Sequence, residues 1–69
     1  MRVIDLRGQK CMNHILKLEN EFRDAGKVFV AITDDESAIY DIPVWASSKG
    51  IEILEIKREG GLLRFLMRK

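Results

Sequence analysis

Residues Val28-Phe29-Val30-Ala31-Ile32 form an unbroken apolar run, and four of the five are β-branched or aromatic. A strand that is apolar on both faces belongs inside a sheet rather than at its edge, so this run reads as a buried central strand. The whole chain has 69 residues, room for a single domain over residues 1–69. The remaining segments must therefore supply both the neighbouring strands and a covering layer.

They do so in a regular order. Arg2 to Leu6 reads as a strand, with Ile4 and Leu6 on one face, Val3 on the other and Gly8 ending the run. Ile15, Leu18 and Phe22 then recur at helical spacing, with Leu16 beside them. Glu19, Glu21, Arg23 and Asp24 line the expected polar side, and Gly26 stands where a helix C-terminal glycine belongs. After the central strand, Thr33, Asp34 and Asp35 form a loop able to cap a helix. Ser37 to Ser48 is helical in character but contains Pro43. A mid-helix proline costs about 3 kcal/mol, whereas a first-turn proline costs little. The spacing thus predicts a fresh, short helix from an Asp41 N-cap to Lys49, with Ile42, Trp45 and Ala46 inward and Gly50 closing it. Ile51 to Lys57 and Leu62 to Arg68 read as two more strands joined through Glu59-Gly60-Gly61. A phase shift between Ile51/Ile53 and Leu54/Ile56 points to a bulge or to burial on both faces.

The order is β-α-β-α-β-β. Strand-helix-strand units favour parallel pairing through right-handed crossovers, and a hairpin is antiparallel. The expected fold is an α/β two-layer sandwich: a mixed four-stranded sheet with two helices on one face.

Hydrophobic residues make up 46% and charged residues 33%, the balance of an ordinary globular domain. A chain this short often leans on disulfides or a metal. This one has a single cysteine, Cys11, and a single histidine, His14. An internal disulfide is excluded, and a Cys/His zinc site would need carboxylates or a second chain. No metal or cofactor is expected, for there is no phosphate-binding glycine loop and no paired catalytic carboxylate with an evident role. The net charge of +1 gives no bulk argument for nucleic acid. No apolar run approaches a membrane span and no signal-peptide pattern opens the chain, so a cytoplasmic location is expected.

Charge is unevenly spread. Residues 34–48 hold Asp34, Asp35, Glu36 and Asp41 and no base, whereas residues 49–69 hold six bases and three acids. Lys57, Arg58, Arg64, Arg68 and Lys69 are candidates for a partner surface, or they protect a sheet edge from aggregation.

Cys11 is the most informative residue. It follows a strand and the short loop Arg7-Gly8-Gln9-Lys10, at the mouth of the first helix. Helix N-termini lower a thiol pKa, and Arg7 and Lys10 add positive potential. His14, three residues on, would accept the thiol proton when neutral or stabilise the thiolate when protonated. A small buried cysteine and a capping or surface histidine are the plainer readings of the same residues.

The pattern Asp5-Leu6-Arg7-Gly8-x-x-Cys11, then Asp34-Asp35-x-x-Ala38-x-x-Asp41-Ile42-Pro43-x-Trp45-x-x-x-x-Gly50, then a hairpin ending in Arg68-Lys69, resembles the TusA (SirA-like) sulfur-carrier family along essentially the whole chain. The resemblance implies that Cys11 carries sulfane sulfur as a persulfide. It implies a cysteine desulfurase or rhodanese-type donor and a downstream relay protein, in tRNA thiolation or other sulfur metabolism. Arg7 and Gly8 map onto the loop before the cysteine. Asp34, Asp41, Pro43 and Trp45 map onto the second helix region, with structural roles. One departure matters: the family signature is Cys-Pro-x-Pro, and here the segment reads Cys11-Met12-Asn13-His14. Without the prolines two helix starts compete, one capped by Cys11 and one capped downstream by Asn13. The reading from a different class is a non-catalytic binding or regulatory module with an inert cysteine. Direct RNA binding by such a module is disfavoured, since Phe29 and Phe65 lie on separate strands and offer no paired stacking platform.

Overall fold

A computed structural model describes residues 1–10 and 12–69; Cys11 lies outside the described residues. The elements are β1 (Arg2–Asp5), α1 (Met12–Glu21), a 3-10 turn (Phe22–Asp24), β2 (Val28–Thr33), α2 (Ala38–Lys49), β3 (Glu52–Glu59) and β4 (Leu62–Arg68). The sheet order is β1-β2-β4-β3. β2 pairs parallel with β1 and antiparallel with β4, and β3 pairs antiparallel with β4. Both crossovers, β1-α1-β2 and β2-α2-β3, move the same way across the sheet. Right-handed connections of this kind place both helices on one face, and the two-layer α/β sandwich is the observed architecture.

Val28–Thr33 is central, as its two-sided apolarity requires. Phe29, Ala31 and Thr33 face the helices and are fully buried. Phe65 and Met67 of β4, Ile4 of β1 and Leu6 beyond it complete the sheet side of the core. Leu18 of α1 and Ala38, Ile42, Trp45 and Ala46 of α2 form the helix side. The β3–β4 hairpin turns through Gly60 and Gly61 at φ of +50° and +82°. Two consecutive positive φ values suit a primed two-residue turn, which only residues such as glycine adopt without strain. The phase shift in β3 is a bulge: the register slips between Ile53 and Glu55.

The second helix differs from expectation. α2 runs unbroken from Ala38 to Lys49 with Pro43 inside it, and Asp41 is a helical residue rather than an N-cap. The helix opens with short-range bonds, from the Ala38, Ile39 and Tyr40 amides to the carbonyls of Asp35, Glu36 and Ser37. Ala38, Ile42, Trp45 and Ala46 are buried on one face that continues through the proline. Burying large side chains on both sides of Pro43 offsets the bond its ring removes. The expected cap from Thr33, Asp34 or Asp35 is not the one adopted. Ser37 is the N-cap and makes no side-chain cap bond, while Asp35 Oδ1 accepts from the Ser37 amide at 3.0 Å and closes the turn before the helix.

No helix among the described residues is long and apolar enough to cross a membrane.

Candidate functional site

The loop before Cys11 is built by short-range bonds. The Leu6 amide donates to the Ile32 carbonyl at 2.7 Å, which keeps the chain on the sheet one residue beyond β1. Arg7 then folds back on Asp5. Its backbone amide donates to Oδ1 at 3.0 Å, and its guanidinium grips the carboxylate through Nη2 and Oδ2 at 2.7 Å. This guanidinium holds the Asp5 carboxyl down at about 2. Gly8, at φ +82°, turns its amide toward Asp34 Oδ1, 3.2 Å away. The Gln9 amide donates back to the Leu6 carbonyl. Lys17, from the second turn of α1, closes the loop from behind by donating to the Asp5 carbonyl at 2.6 Å.

The described helix begins at Met12, the residue after Cys11 in the sequence. The Asn13 amide donates to the Lys10 carbonyl at 3.0 Å, so Asn13 is inside the first turn and is not its cap. The downstream start considered from the sequence is not the one adopted. Lys10 is exposed and makes no ion pair among the described residues.

His14 is fully buried. Its Nε2–H donates to Asp41 Oδ2 of α2 at 3.1 Å, since a carboxylate can only accept. Its Nδ1 faces the other way, 3.7 Å from Asp35 Oδ2, and has no hydrogen-bond partner among the described residues. The histidine thus points into the junction of α1, α2 and the β2–α2 loop. Reasoning from the sequence missed this tie and gave Asp41 a capping role. One signal was available. His14 and Leu18 are four apart, so they share the face that carries the apolar stripe. A buried imidazole needs a polar partner, and residues 34–41 supply acids with no base beside them.

A second polar tie joins the helices further along. Glu19, expected on the polar side of α1, instead reaches α2. It accepts from Trp45 Nε1 at 3.1 Å and from Lys49 Nζ at 2.8 Å. The lysine ammonium, with the indole, lowers the Glu19 carboxyl. Phe22 meets the Trp45 ring edge-on, with centroids 5.2 Å apart. Between the two ties lies an open apolar groove of about 300 Å³, lined by Met12, Ile15, Tyr40, Val44 and Trp45 with Asp41 at its margin.

The basic residues of the hairpin do not converge. Lys57 and Arg64 are cross-strand partners on the face away from the helices, where they line an open hollow with Val30 and Leu66. Arg58 leans the opposite way and pairs with Glu36, its Nη1 2.7 Å from Oε2. Arg64 approaches Glu59 at 3.8 Å, and Arg68 pairs with Glu52. No group of three or more His, Cys, Asp or Glu side chains among the described residues could hold a metal ion.

A family model described as Sulfurtransferase TusA matches residues 2–69. The chain belongs to the TusA family. Among its relatives is the "Sulfur carrier protein TusA" of Allochromatium vinosum, 31% identical over 68 residues that cover 96% of this chain and 90% of that protein. A protein of Archaeoglobus fulgidus named "Putative sulfur carrier protein" is 31% identical over 71 residues, covering 100% of this chain and 97% of its own length. The TusA resemblance read from the sequence therefore holds over nearly the whole chain, and the family and its relatives support a sulfur-carrier role.

Proposed function

We propose that this TusA-family chain accepts a sulfane sulfur on Cys11 and passes it on as a persulfide. The observation that carries the reading is the pairing of a full-length family match with a single cysteine. A sulfur carrier needs a nucleophilic thiol, and Cys11 is the one thiol the chain has.

The chemistry balances without an external oxidant. The Cys11 thiolate attacks the outer sulfur of a donor persulfide, R–S–SH. A new S–S bond forms to Cys11, the donor's S–S bond breaks, and R–S⁻ leaves with its electron pair. The product is Cys11–S–SH and a reduced donor thiol. In the second half the outer sulfur goes to an acceptor thiol or to an activated carbon held in the acceptor's own site. A cysteine desulfurase or rhodanese-type protein is the proposed donor and a downstream relay protein the acceptor. Cytoplasmic tRNA thiolation is one pathway of that kind.

Lys10, Arg7 and His14 are the proposed anion-stabilising groups, and their settings divide the work. Lys10 is exposed and able to meet an incoming anionic sulfur directly. The Arg7 guanidinium is paired with Asp5, which offsets most of its charge and leaves it the smaller share. His14 is buried against Asp41.

Incubation of the chain with a cysteine desulfurase and L-cysteine, or with inorganic polysulfide, tests the proposal by intact mass. The wild type is expected to gain one sulfur and Cys11→Ser none. Equal labelling of the two proteins would overturn the reading and favour a module with an inert cysteine.

A further inference from the structure

His14 is the most buried ionisable side chain described, and it stands three residues after Cys11. A polar ring placed in the core of so small a domain loses its hydration, and it is tolerated where a partner replaces the lost hydrogen bonds. The partner here is Asp41, 27 residues away on the other helix. The bond therefore joins the first turn of α1 to α2 directly. Asp35, facing Nδ1 at 3.7 Å, belongs to the β2–α2 loop. That same loop receives the Gly8 amide through Asp34. The two described segments that border residue 11, Arg7–Lys10 and the start of α1, are thus both anchored on the acidic run 34–41.

We propose that the His14–Asp41 hydrogen bond is a positioning device for the sulfur-carrying thiol, with Asp41 as its working partner. His14 occupies the place of the second proline in the Cys-Pro-x-Pro signature. A proline there restricts the backbone of the first turn through its own ring. This chain restrains the same turn from outside, through a side chain locked onto a neighbouring helix. Neither residue needs to touch sulfur, and the role differs from that of a proton acceptor: removing the acceptor oxygen matters, while removing its charge does not. The proposal rests on Cys11 being the carrier thiol, but its test does not depend on sulfur transfer.

Asp41 is the residue to change, because its side chain is 42% exposed and replacing it leaves the core intact. The readout is the rate of Cys11 alkylation by iodoacetamide at neutral pH, with the thermal midpoint measured alongside. Asp41→Leu removes the acceptor and is expected to slow alkylation by about fivefold, the scale of one lost hydrogen bond. Asp41→Asn keeps an oxygen that accepts from His14 and is expected to restore the rate to within about twofold. In a His14→Pro background, the further change Asp41→Leu is expected to have no effect, since the ring no longer needs a partner. Equal rates for Asp41→Asn and Asp41→Leu, whether both slow or both normal, would overturn the proposal. So would a lowered thermal midpoint in Asp41→Leu at an unchanged alkylation rate. A wild type that alkylates as described but takes up no sulfur would defeat the carrier reading alone.

Discussion

Charged residues are used in opposite ways at the two ends of this sheet. Beneath the helices, the polar contacts His14–Asp41 and Trp45–Glu19 join elements 26 or 27 residues apart, and the histidine is fully buried. On the β3–β4 hairpin, Arg68–Glu52 and Arg64–Glu59 join strands already laddered together, and their side chains are about half exposed. The first kind of contact fixes how separate elements meet. The second decorates an arrangement that backbone hydrogen bonds and glycine turns have set. Burial makes the difference: a desolvated polar group is costly to orphan, whereas an exposed pair is worth about 0–1 kcal/mol.

The largest expected effect follows directly. His14→Ala should lower stability by about 2–4 kcal/mol, combining a cavity in the core with the loss of the hydrogen bond to Asp41. Urea unfolding followed by circular dichroism measures it. A loss no larger than that from removing a hairpin arginine would erase the contrast between the two ends.

Asp5 and Arg7 stand between these extremes, since their contact is strong but links residues only two apart. The Asp5 carboxyl titrates at about 2, below its ordinary 3.8, chiefly because the Arg7 side chain hydrogen-bonds its charged form. A depressed folded-state pKa contributes stability that is present in full above the unfolded value. That contribution drains away as pH falls from 3.8 toward 2. In an NMR titration, Arg7→Ala should raise the Asp5 midpoint toward 3.8, with the residue-7 amide holding back part of the shift. A midpoint that stayed near 2 would transfer the cause to the backbone amide of residue 7, which the alanine variant keeps on Oδ1.

How much of this was legible in the sequence divides along the same line. Alternation and turn chemistry are local signals. The strands, the glycine hairpin and the β3 bulge could be read from the apolar phase of Ile51–Ile56 and from Gly60-Gly61. The sulfur-carrier family was readable too, because its motif is a set of fixed spacings. The Pro43 break was misread because local propensity was weighed without the core. The face from Ala38 to Ala46 is buried on both sides of the proline, and that tertiary gain outweighs the lost bond. The His14–Asp41 tie was missed for a related reason. Its two ends carry no local signature of each other, and only the packing of α1 on α2 brings them within 3.1 Å.

The smallest effect is expected on the hairpin itself, and it tests whether those bases do anything beyond decoration. Lys57→Gln with Arg64→Gln should leave stability within about 0.5 kcal/mol of wild type, because both side chains lie on the open face among exposed partners. If this face helps to steer a donor protein, the double variant should load more slowly from a desulfurase at low salt, by no more than about threefold. The difference should vanish at high salt, where charges further apart than a few ångströms are screened. Loading from polysulfide, which needs no protein docking, should be the same in both. A large loss of stability would mean that the hairpin charges, like those under the helices, hold the fold. A slowing that persisted at high salt would place a specific contact, rather than a diffuse field, on the face opposite the helices.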